Sequence, residues 1–287
     1  MSWQLPLFLN IVFGTIRSYL DKKLVERLDP LVVYVCTVFW MTGFLLLYYL
    51  AIYHRAQAVY PEMMVLGILY AVAIGSYLKA IKINLSQSVV FSSYYLVIPM
   101  VLSAIFLGEW SYFNPNSFSG QKTIVGLILA FVSMFLILRS HTKKEAKMEL
   151  TWVYLIIINI VLNGIGTYWG KTFVNTHGPF DTIFSQCLGA LPVVILINYF
   201  GKKKYHLTPT NHILVALDGL IITLAVAFYY LAIQRGPLTL ILPIQTLLGS
   251  IAIVTVGLVL FQEGQHLGKE KIAGLVIGII GIMLLVI

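Results

Sequence analysis

The chain has 287 residues, of which 59% are hydrophobic and 10% are charged. A typical soluble domain is roughly 45–50% apolar and about 25% charged, so this composition excludes an ordinary water-soluble protein. The net charge of +8 does not indicate nucleic-acid binding. The basic residues lie in short segments between apolar runs, which is typical of proteins embedded in a lipid bilayer.

Ten apolar runs along the chain approach the length that a helix needs to cross a bilayer, about 20 residues for roughly 30 Å of hydrocarbon. Runs such as Leu45–Leu47 are apolar on every face, which favours helices over the alternating strands of a membrane barrel. The first run lacks the features of a cleavable signal peptide. The predicted spans are Trp3–Leu20, Leu31–Tyr53, Met63–Ala80, Leu85–Leu107, Thr123–Leu138, Trp152–Lys171, Phe180–Phe200, His212–Ile233, Leu238–Phe261 and Ile272–Ile287.

The two halves of the sequence match each other in register. A shift of 149 residues pairs Trp3, Asn10, Tyr19, Lys22 and Pro30 with Trp152, Asn159, Tyr168, Lys171 and Pro179. A shift of 152 pairs Gly67 and Tyr77 with Gly219 and Tyr229, and a shift of 148 pairs Gly120 and Gly126 with Gly268 and Gly274. We therefore predict an all-α integral membrane fold with one five-helix repeat over 1–140, a basic linker over 141–149 and a second repeat over 150–287.

An odd number of crossings has a topological consequence, because the second repeat must then insert upside down relative to the first. Inverted repeats are typical of secondary transporters, which bind solute near the midplane and open alternately to each side. Loop charges agree with inversion, since fourteen Lys and Arg residues lie in odd-numbered connections and four in even-numbered ones. By the positive-inside rule, both termini are predicted to lie outside the cell.

Short motifs that occur once in each half carry a resemblance to a known family. Each first helix has a Gly followed by a Lys, at Gly14 and Lys22 and at Gly164 and Lys171, and each fourth helix ends in a Glu, at Glu109 and Glu263. A Gly-rich fifth helix follows in both halves. The chain resembles the ten-helix EamA transporters of the drug/metabolite transporter superfamily over essentially its whole length.

That resemblance implies a basket of ten helices around a central cavity and transport of amino acids, metabolites or drugs, often outward. The sequence departs from the family in two respects. The second helix of each half lacks the Arg that family members commonly have, and members usually keep both termini in the cytoplasm, opposite to the orientation that the loop charges predict.

Polar side chains within the spans are candidates for solute binding, because they are costly in lipid unless they pair or face water. Asn10 and Asn159 occupy equivalent positions, although each could instead hold helices together through hydrogen bonds. Pro99 and Pro243 predict bends beside polar residues, with plain kinks as the alternative. The predicted substrate-binding residues are Asn10, Tyr77, Ser93, Tyr94, Asn159, Asn163, Tyr229 and Gln245.

Charged residues near the spans have both functional and structural interpretations. Asp218 is a carboxyl inside a span and a candidate for proton coupling, or else it pairs with a loop Lys or lipid headgroup. Arg17 is predicted to pair with Asp21 one turn later, with a clamp for a substrate carboxylate as the alternative. We expect Lys22 and Lys171 to reach towards the interface and Glu109 and Glu263 to be structural.

The sequence predicts a secondary transporter of a small neutral or zwitterionic solute, multi-pass in the cell inner or plasma membrane. Its predicted partners are a small-molecule substrate and the lipid bilayer. No cofactor, metal or nucleic acid is expected, because Cys36 and Cys187 have no ligand-type neighbours and no nucleotide-binding motif occurs. The glycine series Gly274, Gly278 and Gly281 suits packing within the chain or a homodimer seam. An intramembrane enzyme acting on lipid-linked substrates and a non-transporting sensor or assembly factor remain as alternatives.

Overall fold

The computed structural model describes residues 2–53, 59–83, 88, 91–139, 150–200, 208–260 and 269–286. The predicted linker 141–149 lies outside these residues, as does Glu263. Ten α-helices occur in the described part of the chain, and each overlaps one predicted span. They are α1 (Gln4–Val25), α2 (Pro30–Tyr53), α3 (Pro61–Ile83), α4 (Val97–Phe106), α5 (Phe118–Arg139), α6 (Leu150–His177), α7 (Pro179–Phe200), α8 (Pro209–Arg235), α9 (Leu238–Leu260) and α10 (Lys269–Val286).

Proline and glycine mark several helix ends for physical reasons. Helices α2, α3, α7 and α8 each begin at a Pro, whose fixed φ suits a helix start and whose missing N–H is not needed there. Gly178 follows the last residue of α6 with a φ of 88°, a left-handed conformation that favours glycine at a helix end. Gly108, with a φ of 71°, has the same left-handed conformation after α4.

Within the described residues, five helices are long and apolar enough to cross a membrane, namely α2, α3, α6, α7 and α8. Shorter apolar segments occur in α5, α9, α10 and the region Ser93–Phe106. Their outer faces carry large exposed apolar side chains, including Phe39, Leu47 and Ile105, each more than 60% exposed. Such continuous apolar surface requires lipid contact rather than water. The described helices are therefore those of an integral membrane protein.

The predicted bends at proline differ between the two halves. Before Pro99, residues Ser93–Leu96 form a short 3-10 helix ahead of α4, in keeping with the loss of a backbone donor at Pro99. Helix α9 instead continues through Pro243 without a break. Pro243 lies within two turns of the start of α9, where few intrahelical hydrogen bonds precede it.

The chain divides into two compact units, each containing segments from both halves of the sequence. Unit 1 comprises Met1–Leu78 and Trp169–Arg235, and unit 2 comprises Lys79–Tyr168 and Gly236–Ile287. Helices α1, α2, α7 and α8 lie within unit 1, and helices α4, α5, α9 and α10 within unit 2. The division into repeats at 1–140 and 150–287 remains a prediction about sequence, because compact units and repeats are different divisions.

In unit 1 the equivalent helices α2 and α7 run antiparallel. Tyr49, near the end of α2, donates a hydrogen bond of 2.6 Å to Asp181 at the start of α7. At the other end, Val35 of α2 and Val194 of α7 belong to one buried apolar cluster. Helices α1 and α8 are also antiparallel neighbours.

Glycines allow α3 and α7 to approach at backbone distance in unit 1. A Cβ at Gly67 would overlap the carbonyl oxygen of Gln186, and a Cβ at Gly189 would overlap the carbonyl oxygen of Met64. Absence of a side chain on both helices therefore sets their separation, as small residues commonly do in membrane bundles.

In unit 2 the equivalent helices α5 and α10 also run antiparallel. Gly126 faces Gly281, and the Ser133 hydroxyl donates a hydrogen bond of 2.6 Å to the carbonyl of Gly274. The two contacts are equivalent in the repeat. A shift of 148 residues aligns Gly126 with Gly274 and Ser133 with Gly281, so the contact between Gly126 and Gly281 corresponds to the one between Gly274 and Ser133. The glycine series of α10 thus packs against α5 within the chain.

Candidate functional site

The predicted site residues are distributed over both units. Asn10, Tyr77, Asp218 and Tyr229 belong to unit 1, and Ser93, Tyr94, Asn159, Asn163 and Gln245 belong to unit 2. Asn10, Asn159 and Asp218 are buried, and the other six are partly buried. Each unit therefore contains its own group of polar side chains within predicted spans.

Asn10 joins α1 to α8. Its side-chain Nδ2 donates a hydrogen bond of 2.9 Å to the main-chain carbonyl of Ala225. The rings of Phe13 and Phe228 stack beside this contact, with centroids 5.7 Å apart. The amide and the stacked rings hold the helix on which Tyr229 lies. The structural interpretation of Asn10 is thus confirmed as an interhelical bond, while its role in solute binding remains a prediction.

Asp218 is fully buried in α8, with no exposed surface. Its Oδ2 accepts a hydrogen bond of 2.8 Å from the hydroxyl of Thr37 on α2. Its Oδ1 is buried and has no hydrogen-bond partner among the described residues. The alternative of an exposed Asp reaching lipid headgroups is therefore wrong, because the carboxyl lies inside the helix bundle of unit 1.

Arg17 and Asp21 form the predicted pair along α1. The Arg17 Nε lies 3.3 Å from the Asp21 Oδ2, and both side chains are about one third exposed. The charges of both residues also act on Asp218. Two carboxyls and one guanidinium therefore lie within electrostatic range of each other where α1 and α8 meet.

A second buried polar contact in unit 1 is not predicted by the sequence. The Tyr230 hydroxyl donates a hydrogen bond of 2.8 Å to the Gln186 Oε1, and the hydroxyls of Tyr230 and Tyr70 are also hydrogen-bonded. The match between repeats instead predicts the neighbouring Tyr229 as a site residue, because Tyr77 stands at the equivalent position. Tyr230 falls on Leu78 in the same register, so the repeat gave no signal for it.

In unit 2 the 3-10 turn Ser93–Leu96, which contains the predicted residues Ser93 and Tyr94, lies next to α9. Leu96 lines a small apolar cavity together with Pro243 and Leu247 of α9, so the turn lies beside the helical segment that carries Gln245. A Cβ at Gly164 of α6 would collide with the side chain of Ile98. The α6 segment that contains Asn163 is therefore adjacent to the start of α4.

Glu109 has the structural role predicted for it. Its carboxylate is buried and accepts hydrogen bonds of 2.9 Å each from the backbone N–H groups of Leu238 and Thr239. Those N–H groups begin α9, where the first turn has no intrahelical acceptors and a partial positive charge. Glu109 therefore caps α9 from the segment that follows α4.

Lys171 differs from the expectation that it reaches the interface. It is buried, and its Nζ donates a hydrogen bond to the main-chain carbonyl of Ile233 near the end of α8. The last carbonyls of a helix lack intrahelical donors and carry partial negative charge, which favours a cation there. Lys171 thus ties α6 to the end of α8.

The chemistry available in these groups suits recognition of a polar or amphipathic solute. Amides and hydroxyls can donate and accept hydrogen bonds, and tyrosine rings offer apolar faces beside polar ends. The buried Asp218 can also take up and release a proton. No cluster of three or more potential metal ligands occurs among the described residues.

Comparison with known proteins gives three findings. Residues 150–287 match the EamA-like transporter family, and this range coincides with the second predicted repeat. No curated protein is significantly similar in sequence. Chains of solved structures do match the fold, among them a crystal structure titled only "Crystal structure of protein", with a TM-score of 0.78 and 12% identity over 99% of this chain and 96% of that one.

At that identity, the structural likeness concerns the fold alone, and it extends over the full length of the chain. The family match covers the half that contains Lys171, Asp218 and Tyr230. Together with the apolar helices, it accounts for the membrane character of the chain and agrees with the drug/metabolite transporter superfamily. Residues 150–287 are thus similar to the EamA-like transporter family, in a chain whose apolar helices are those of an integral membrane protein.

Proposed function

We propose that this protein is a secondary transporter that moves a small organic solute across the membrane by alternating access. The EamA-like domain in residues 150–287 is the observation that carries the proposal, because it is a domain of transporters. In this proposal all ten helices cross the bilayer, and the two halves of the chain are inverted repeats. The solute binds to polar side chains that lie within the spans.

The packing of equivalent helices supports the inverted arrangement. Inverted repeats are related by a two-fold axis in the membrane plane, so equivalent helices cross the bilayer in opposite directions. Helices α2 and α7 are antiparallel, and so are α5 and α10. Helices α4 and α9 follow the same rule, since Glu109 after α4 caps the start of α9 while Leu96 before α4 lies beside Leu247.

The solute of this proposal is neutral or zwitterionic and carries both polar and apolar parts. Asn10, Tyr77, Asn163 and Tyr229 supply amide and phenol groups, which suit hydrogen bonding beside an apolar or aromatic face. Ser93, Tyr94, Asn159 and Gln245 complete the proposed set. We propose outward transport from the cytoplasm across the cell inner or plasma membrane, with both termini outside.

The first test is a solute screen on the purified protein, followed by transport. Amino acids, amines and sugars are compared for their ability to raise the Tm, and the best solutes are then tested by counterflow of labelled solute into proteoliposomes. We expect at least one solute to give both effects. Binding without counterflow would contradict the proposal, and so would counterflow equal to that of empty liposomes.

The second test assigns the site. Asn163→Ala removes a predicted hydrogen-bonding group of α6 and is expected to weaken solute binding by about 1–3 kcal/mol, the cost of leaving a solute polar group unpaired. Asn116→Ala is the matched control, because Asn116 is exposed in the connection before α5. Equal solute affinity in the two variants would remove Asn163 from the site.

A further inference from the structure

We infer that Asp218 is a proton-binding carboxyl and that Arg17 is its exchangeable counter-ion, shared with Asp21. The inference rests on the proposed transport function, to which it adds a coupling reaction. All three residues belong to unit 1, where Asp218 lies on α8 and both Arg17 and Asp21 lie on α1. The geometry of each residue contributes one step.

The first step is the environment of the Asp218 carboxyl. It has no exposed surface, and only Oδ2 has a hydrogen-bond partner among the described residues, the Thr37 hydroxyl. A buried carboxylate oxygen without a donor is costly. Either a proton on Oδ1 or an approaching cation removes that cost. Because Oδ1 has no accessible surface, a proton fits there without rearrangement, whereas a cation reaches it only when side chains move.

The second step is the state of Arg17. Its Nε lies 3.3 Å from Asp21 Oδ2 but makes no hydrogen bond among the described residues. An ion pair at a site that is about one third exposed is weak, because water screens both charges. Arg17 also lies level with Asp218, because it follows Asn10 by seven residues on α1 while Asp218 precedes Ala225, the bonded partner of Asn10, by seven residues on the antiparallel helix α8. Arg17 is therefore held loosely by one carboxylate and lies within range of another.

The third step combines these two states. When Asp218 carries a proton it is neutral, and Arg17 stays with Asp21. When the proton leaves Oδ1 for water, the carboxylate attracts the guanidinium, so an N–H to Oδ1 hydrogen bond forms while the contact with Asp21 breaks. Arg17 keeps its charge throughout, because its guanidinium does not titrate in proteins. One proton is released in each exchange.

The other titratable groups near Asp218 do not replace Arg17 as its counter-ion. Helix α8 packs against α1, α2 and α7, and Arg17 and Asp21 are the groups whose charges act on the Asp218 carboxyl. Thiols and phenols are uncharged near neutral pH, and the Asp181 carboxylate already accepts the hydrogen bond from Tyr49. Lys171 of α6 also contacts α8, but at Ile233, 15 residues along the helix from Asp218. The titratable side chains that described contacts and charges place against α8 are Arg17, Asp21, Cys36, Tyr70, Lys171 and Cys187.

Exchange of Arg17 would alter the contact between α1 and α8. Asn10 lies on α1 seven residues before Arg17, roughly 10 Å along the helix, and it bonds to α8 at Ala225. A new bond from Arg17 to Asp218 would add a second polar tie between the same helices. Proton release thereby changes the packing of the helix that carries a proposed solute-binding residue.

The direct test is infrared difference spectroscopy of the purified protein between low and high pH, which detects the C=O band of a carboxylic acid as its proton is lost. We expect a band that Asp218→Asn removes and Glu62→Gln leaves in place. Glu62 is the control because it is an exposed carboxyl in the first turn of α3. A band that persists unchanged in Asp218→Asn overturns the inference, as does its absence from the wild type.

Thr37→Val is a second variant, which keeps the test decisive if Asp218→Asn does not fold. It leaves the Asp218 carboxyl in place and removes its hydrogen-bond donor. We expect the same band at a shifted frequency, and an unshifted band overturns the assignment. Arg17→Gln is expected to alter the pH range over which the band disappears. An unchanged range would overturn the counter-ion role of Arg17.

Transport measurements separate failure of this inference from failure of the proposed function. In proteoliposomes, Asp218→Asn is expected to lose the solute accumulation that a pH gradient drives, whereas the control Glu62→Gln keeps it. Accumulation that remains in Asp218→Asn overturns the proton site. If wild-type protein gives no counterflow with any solute, the proposed function fails, while the infrared band still decides whether Asp218 binds a proton.

Discussion

At the scale of single residues, the polar side chains in the spans have specific partners. Asn10 bonds to α8, Glu109 caps α9, and Lys171 binds a carbonyl near the end of α8. The sequence identified all three as unusual, because polar groups in lipid are costly without partners. It could not identify those partners, since the bonded residues are 62 to 215 positions apart.

Asn10→Ala tests the bond between α1 and α8. Removing the amide should lower the free energy of unfolding by roughly 0.6–1.7 kcal/mol, the range measured for interhelical hydrogen bonds in membranes. Thr15→Val is the control, because the Thr15 hydroxyl bonds to the Ile11 carbonyl of its own helix. Unfolding in denaturing detergent gives the free energy of unfolding of both variants. Equal losses of stability would contradict a stabilising hydrogen bond between Asn10 and Ala225.

Glu109→Gln tests the cap of α9. The amide can accept a hydrogen bond through only one oxygen and carries no charge, so we expect a loss of up to about 2 kcal/mol in stability. Glu62→Gln removes an exposed carboxylate from the first turn of α3 and should cost less than 1 kcal/mol. Thermal unfolding of the two proteins in the same detergent measures the difference. A smaller loss in Glu109→Gln would contradict the capping role.

At the scale of helices, close approach depends on glycine at a few positions. Gly67 and Gly189 bring α3 and α7 to backbone contact, and Gly126 and Gly281 do the same for α5 and α10. The sequence marked the glycines of α10 as packing positions but left their partner open. In the structure that face packs against α5 of the same chain. The possible homodimer remains a prediction.

Gly67→Ala is expected to force α3 away from α7, because the added Cβ would overlap backbone atoms of Gln186 that cannot rotate away. Overpacking of this kind typically costs about 1–3 kcal/mol. Gly43→Ala is the matched control, since nothing lies within 4 Å of a Cβ at Gly43. Size-exclusion profiles and thermal unfolding compare the two. Equal behaviour would contradict the close approach of α3 and α7.

At the scale of the whole molecule, the central prediction is inversion of the two repeats. A shift of 149 residues sets Arg27 after α1 on Thr176 at the end of α6, and both side chains are exposed. Inversion places these equivalent positions on opposite sides of the membrane. The excess of basic residues in odd-numbered connections assigns Arg27 to the cytoplasm.

Arg27→Cys and Thr176→Cys, made separately in a chain without Cys36 and Cys187, test this topology. In intact cells, a membrane-impermeant maleimide should label Thr176→Cys, and it should label Arg27→Cys only after permeabilisation. Labelling of both from one side would contradict inversion. The reverse pattern would keep the inversion but overturn the orientation with both termini outside.

The amino-acid pattern alone was enough to predict a helical membrane protein and the positions of ten helices. Composition, run length and the positions of proline and glycine are local properties, and they act on a segment regardless of its neighbours. The match between halves also comes from sequence alone. Those features made Asn10, Glu109, Lys171 and Asp218 candidates before any partner was known.

Which of these residues contact each other is known only from the packing of the helices. The pairing of Asp218 with Thr37, the buried Gln186–Tyr230 bond and the burial of Lys171 arise from helices that are distant in the chain. In a bundle, the relative rotation and separation of helices are set by the sum of many small packing terms. No local pattern encodes that sum, so the partners of a buried polar group become known only when the helices are packed together.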